Sequence, residues 1–172
     1  MPVSFSGRAD NQKFFLLDNK VFNGKVGYQV IKVFEDVATG QHILVNLGWV
    51  AGAVNRHSLP QIEDTQIGQV QGQIRNYQIL DFVLGEQDET SGWPKRIQRV
   101  NPESMSVSYG APLSSYVVLL HPEVDGGFAR KWQPIVMPAE KHTAYAVQWF
   151  LLALAFVCVV AVVVKKQGES GD

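Results

Sequence analysis

The chain has 172 residues, with 15 lysines and arginines against 16 aspartates and glutamates, giving a formal net charge of −1. That balance holds no basic block and speaks against nucleic acid as a partner, because phosphate binding needs clustered Lys and Arg. The single cysteine, Cys158, excludes an intramolecular disulfide and any multi-thiolate metal centre.

The opening "MPVSFSGRAD" has neither a basic n-region nor an apolar h-region, so it does not read as a signal peptide. Taken alone, this predicts a tail-anchored chain with a cytoplasmic domain. "VSFSGRA" alternates and predicts a strand that stops at the polar cluster after it. "KFFLL" predicts a second strand, closed by the turn residues "DNK". "VGYQVIKVF" and "HILVNLGWV" are rich in β-branched and aromatic residues and predict two more, joined by the hairpin loop "DVATGQ". After the break at Leu59-Pro60, "GQVQGQIRNYQIL" alternates more weakly, and "SSYVVLL" is a short apolar strand. "NPESMSVSYG" predicts a helix, with Asn101 as N-cap, Pro102 at the first helical position and Gly110 as the stop. "DGG" at Asp125–Gly127 is a turn. Residues 1–136 are therefore expected to be mainly β, a compact barrel or sandwich-like domain with one short helix.

The junction "KWQPIVMPAEKH" places Pro134 and Pro138 around a short extended piece. Pro138 suits the first turn of a long helix, and Glu140 suits its positive end. The spacing predicts a helix over 137–166, a transmembrane span at about 144–164 and a polar tail at 167–172. From Ala144 to Val164 no residue is charged, and a helix of that length spans about 32 Å, matching the hydrocarbon core. Its leucines, valines and phenylalanines favour insertion by about 4–7 kcal/mol, which Gln148 does not overturn. Lys165 and Lys166 oppose Arg130, Lys131 and Lys141 across the span, so charge leaves the orientation open.

His42, His57 and His121 stand at no metal-ligand spacing and read as surface or strand-end residues. The chain has no nucleophile motif and no glycine-rich phosphate loop, so it does not read as an enzyme. His142 differs. On a helix, His142, Tyr145 and Trp149 share one stripe, which Leu152 and Phe156 continue. Two readings stand side by side. One is an aromatic belt at the headgroup level. The other is a site for a flat, amphipathic ligand, with the His142 imidazole as axial ligand to a haem iron. No C-x-x-C-H is present, so such a haem would be held non-covalently.

Four blocks, "KFFLLDNKVFNGKVGYQV", "HILVNLGWV", "GWPKRIQRVNPESMSVSYGAPL" and "KWQPIVMPAEKHTAYAVQWF", agree in order and spacing with those of a known family. The chain resembles the Surfeit-locus cytochrome oxidase assembly family. The resemblance implies a protein of the bacterial inner membrane or the mitochondrial inner membrane. Its domain would lie in the periplasm or intermembrane space, between two helices embedded in membrane lipid. It implies help in building the haem-copper oxidase, by receiving haem a or handing it to the large subunit, with the haem a synthesis machinery as a further partner. In bacterial members the histidine of the "H-x-x-YA-x-x-W" block is associated with haem. It falls here on His142, with Tyr145 and Trp149 as expected companions in cofactor binding and His142 as the metal ligand. The competing expectation is a cofactor-free scaffold or chaperone for an oxidase subunit. Two departures stand out: the first membrane helix would have to precede Met1, and Leu47 replaces the arginine of the family's "LVNRGWV".

Overall fold

The computed structural model describes residues 1–53, 58–77, 92–132 and 147–160. The chain divides into two compact units, Met1–Trp132 and Gln133–Asp172. The first unit contains β1 (Pro2–Phe22), β2 (Lys25–Asp36), β3 (His42–Ala51), β4 (Gln69–Asn76), β5 (Lys95–Ile97), α1 (Pro102–Tyr109) and β6 (Leu113–Leu120). In the second unit, residues 147–160 form the helix α2.

The two strands expected before residue 18 are one strand, and "DNK" is not a turn. β1 runs unbroken for 21 residues and absorbs its polar clusters as register shifts against β2, between Ala9 and Phe14 and between Leu17 and Lys20. The first shift has a clear cause. The Asp10 carboxylate accepts hydrogen bonds from the Gln12 and Lys13 amides, both at 2.9 Å, which gathers the backbone locally. At the second shift Asn19 takes a left-handed conformation, φ 55°. Irregularities of this kind bend a strand and increase its twist. β1 consequently serves several partners: Pro2–Ser6 pair antiparallel with β4, residues from Gly7 onward pair with β2, and Phe15–Leu17 also hold the short β5 in parallel.

The pairings close a ring, β1–β2–β3–β6–β4–β1, in which only β3–β6 is parallel. Of the two expected architectures, the first unit is the barrel. The strand period of two explains why its core has two sides. Val30, Phe34, Val45, Leu47, Val70, Val118 and Leu120 fill the interior, with Phe14 and Leu16 at one end. Their neighbours Phe15, Leu17, Ile31, Val33, Leu44 and Val117 point outward and are buried just as fully. What covers them is the segment from Trp93 to Leu113, through Ile97, Val100, Met105 and Tyr109. Trp93 meets Phe15 edge-on at 5.2 Å and Tyr109 at 6.3 Å.

α1 forms as its caps predict. Asn101 accepts from the Glu103 and Ser104 amides at 3.1 and 3.3 Å, and Gly110 closes the helix in a left-handed conformation, φ 91°. Between β3 and β4, Leu59 and Ile62 pack against Phe14 and Leu16, so this connection helps to close that end of the barrel.

Candidate functional site

Two places are candidates: the end of the barrel built by the β1–β2 hairpin, and the apolar helix α2. At the first, β1 and β2 run together to a turn at Asn23–Gly24, with Val21 opposite Val26 and Phe22 opposite Lys25. Trp49 of β3 lies across this hairpin. Its indole N–H donates to the Lys20 carbonyl at 2.8 Å, and its ring stacks on Phe22 with centroids 5.3 Å apart. Gly27 makes this possible, because a Cβ there would collide with the indole and with the Val50 carbonyl.

The chain leaves the first unit at the same end. β3 and β6 are parallel, so the C-terminal ends of both point toward the hairpin tip. After β6 the chain turns through residues 121–127. The Arg130 guanidinium holds that turn by donating to the carbonyls of Gly126 at 2.7 Å, Pro122 at 3.0 Å and Val124 at 2.6 Å. The returning segment is stitched to β3, with Phe128 N–H on the Leu47 carbonyl and Trp49 N–H on the Ala129 carbonyl, each at 2.8 Å. Gly48, at φ 118°, lets the two backbones meet; a side chain there would strike Phe128 and Ala129. Trp132 then donates its indole N–H to the Leu120 carbonyl at 2.7 Å. The attachment ends in an anchored residue.

Of the residues singled out from sequence, Trp149 is described and His142 and Tyr145 lie outside the described residues. Trp149 is 71% exposed, and so are Leu152 at 53% and Phe156 at 69%. Spaced three and four residues apart, they lie along one side of a helix that is apolar and exposed all round, with Phe150, Leu151, Leu154 and Val157 equally open. Among the described residues no helix is long and apolar enough to cross a membrane. The described part of α2 rises about 21 Å, and the expected span of 144–164 continues on both sides into residues outside it.

Of the other histidines, His42 and His121 lie among the described residues. His42 packs its ring against Tyr109 at 5.6 Å. His121 lines an open groove of about 800 Å³ with Pro2, Ser4, Gln71 and Glu123. Its Nδ1 lies 3.4 Å from the Glu123 amide, which donates to it, and 3.9 Å from the Glu123 carboxylate. His57 lies outside the described residues. Among the described residues no group of three or more His, Cys, Asp or Glu side chains could hold a metal ion.

Sequence reasoning did not reach Lys32. It alternates with Val30 and Phe34 on the inward face of β2 and is fully buried. Its Nζ donates to Asn11 Oδ1 at 2.6 Å and to the Glu63 carbonyl at 3.1 Å. The only signal was its position between two apolar residues of one strand face, in "VIKVF".

Compared with family models, the sequence matches the one described as the SURF1 family over residues 1–154. The chain belongs to the SURF1 family. Neither the curated proteins nor the solved structures yield a match. Membership carries a role in cytochrome oxidase assembly, and the SURF1 family is one of assembly factors rather than catalysts. The fold now gives its sequence blocks places. The first two meet where Trp49 lies on the β1–β2 hairpin, and the third is the outer layer from Trp93 to Leu113. The fourth begins at the anchored end of the first unit, Lys131–Trp132. Leu47 occupies a register irregularity of β3 and is buried in the barrel interior.

Proposed function

We propose that this chain is a membrane-anchored assembly factor that receives haem a or hands it to the large subunit of a haem-copper oxidase. The observation that carries the reading is the family match, which runs to residue 154 and so takes in the segment of His142, Tyr145 and Trp149. His142 would hold the iron through a neutral imidazole, and Tyr145 and Trp149 would flank the macrocycle. Trp149, Leu152 and Phe156 offer exposed apolar surface, as do the other sides of the same helix. Haem is the cargo, and a single axial histidine suits transfer better than permanent holding. The span at about 144–164 would place this site at the boundary of the bacterial inner membrane with the barrel in the periplasm, or at the mitochondrial inner membrane in a eukaryote. The haem a synthesis machinery would be the donor on the supply side.

The experiment is purification of the protein from cells that make haem a, with and without His142→Ala. The expected result is a Soret band that His142→Ala abolishes and that Tyr145→Phe and Trp149→Phe weaken or shift. A full band in the His142→Ala protein would remove the axial-ligand assignment.

A second reading rests on the barrel itself. Its interior is filled by side chains from all five ring strands and leaves the surface for contact with other molecules. A cofactor-free scaffold that chaperones an oxidase subunit would use that surface. Under it, the oxidase subunit co-purifies as well with His142→Ala as with the unaltered chain, and haem is absent from both.

A further inference from the structure

We infer that the β1–β2 hairpin tip is a lipid-docking element that seats the first unit on a bilayer surface bearing anionic headgroups. The tip carries an exposed apolar pair on one side. Val21 and Val26 face each other across the strands there and are 67% and 51% exposed. On the other side Phe22 is half-buried against Trp49 and stands opposite Lys25. Exposed apolar side chains flanked by lysines suit a lipid boundary, where the apolar groups enter the acyl region and the ammonium groups meet anionic headgroups. The indole of Trp49 is fixed by its bond to Lys20, and it pairs an apolar ring with a polar edge as residues at the headgroup level do.

Charge selects the kind of lipid. Lys20 and Lys25 bracket the apolar tip, and Arg75 lies close enough to Lys20 to act on its charge. Asp18 and Arg96 line a small hollow of about 240 Å³ beside Val26 and Gly27. The far end of β2 is mixed in charge, with Arg8 opposite Glu35. There Glu35 and Asp36 lead into the turn to β3, and Val37 is exposed among polar neighbours. Twelve residues of strand separate the two ends by about 36 Å, far beyond the screening length at physiological salt. The basic character is therefore local to the hairpin tip, where Lys20 and Lys25 flank the valines and Asp18 is the nearby carboxylate. The chain exit of the first unit, at Ala129 and Trp132, is at the hairpin end.

The test uses the full chain with Cys158→Ser and a single thiol from Val26→Cys or from Val37→Cys, each carrying an environment-sensitive nitrobenzoxadiazole label. The proteins are reconstituted into phosphatidylcholine vesicles with or without phosphatidylglycerol, and flotation is scored alongside fluorescence. In phosphatidylglycerol vesicles the label at 26 is expected to shift to the blue and to be quenched by nitroxide lipids. High salt or Lys25→Glu should reverse both changes, and the label at 37 should read as in detergent throughout. A label at 26 that stays aqueous in floating vesicles overturns the docking and leaves the membrane anchor intact. A chain that does not float removes both. A blue shift at 26 that requires a co-reconstituted oxidase subunit instead of anionic lipid would make the tip a protein contact and also overturn the proposal.

Discussion

Lys32 carries its ammonium inside the barrel, where burial disfavours the charge and draws its pKa below the ordinary 10.5, against the pull of Asp64 and Asp10. Two oxygens and the face of Phe14, 5.2 Å away, take up its charge. Asn11 does more than accept from it: Asn11 also receives the Thr65 amide at 2.8 Å and so ties β1 to the segment closing the barrel. Asn11→Ala should therefore cost about 2–3 kcal/mol, since it strips a buried cation of its best acceptor. Lys32→Met orphans one carbonyl but removes a charge that resists burial, and should cost about 1 kcal/mol. Urea midpoints in the reverse order would contradict this account. The pH dependence has a definite sign. Because its folded-state pKa lies below 10.5, Lys32 binds its proton more readily when unfolded, and its cost to stability fades as pH rises toward 10.5. Tyr109 works the other way. Burial first, then its hydrogen bond to Asp10 at 3.0 Å and the charges of Asp10 and Glu35, push its hydroxyl up to about 12. Its stabilisation is complete below the unfolded value of 10 and lost between 10 and about 12. Tyr109→Phe should flatten the fall in stability over that interval, and a melting series from neutral to alkaline pH reads it directly.

Among the elements, α1 shows what local sequence can settle. Asn101, Pro102 and Gly110 carry the helix boundaries in themselves, so their positions could be read before any contact was known. Asn101→Ala should cost about 1 kcal/mol through the lost amide bonds. Met105→Ala should cost about 2–4 kcal/mol, because that side chain is buried between α1 and the barrel's outer face. Thermal unfolding of the two variants should rank them in that order. β2, β3 and β6 were equally legible, being continuous β-branched runs that the barrel buries on both faces. β1 was not, since "DNK" has turn composition and only its pairing with β2 keeps it extended. β5 escaped because three residues carry no periodicity. The Trp49–Phe22 stack escaped for a third reason: it joins residues whose contact is decided by register, which composition does not encode. Of the stripe expected from His142, Tyr145 and Trp149, only Trp149 lies among the described residues.

For the whole molecule, closure of the ring rests on the shortest reach of β1. Pro2–Ser6 alone join it to β4, in register from Pro2 against Gln73 to Ser6 against Gln69. Phe5 packs from this segment into the interior beside Val3. Phe5→Ala should cost about 1–3 kcal/mol and should raise hydrogen exchange in Gln69–Asn76 well above that in His42–Ala51, which keeps both neighbours. Uniform acceleration across both strands would mean that the seam is not a separate weak point.

The same seam has a consequence in time. β4 gains its second neighbour only from β6, and β6 also fills the edge of β3, so the barrel cannot close before Leu120 has been synthesised. Until then β3 and β4 each keep one unpaired edge, and pairing Leu113–Leu120 with a strand made about seventy residues earlier is slow. A wall completed last leaves two strand edges bare while the chain is being made, and a bare edge is where a strand of another chain can add itself.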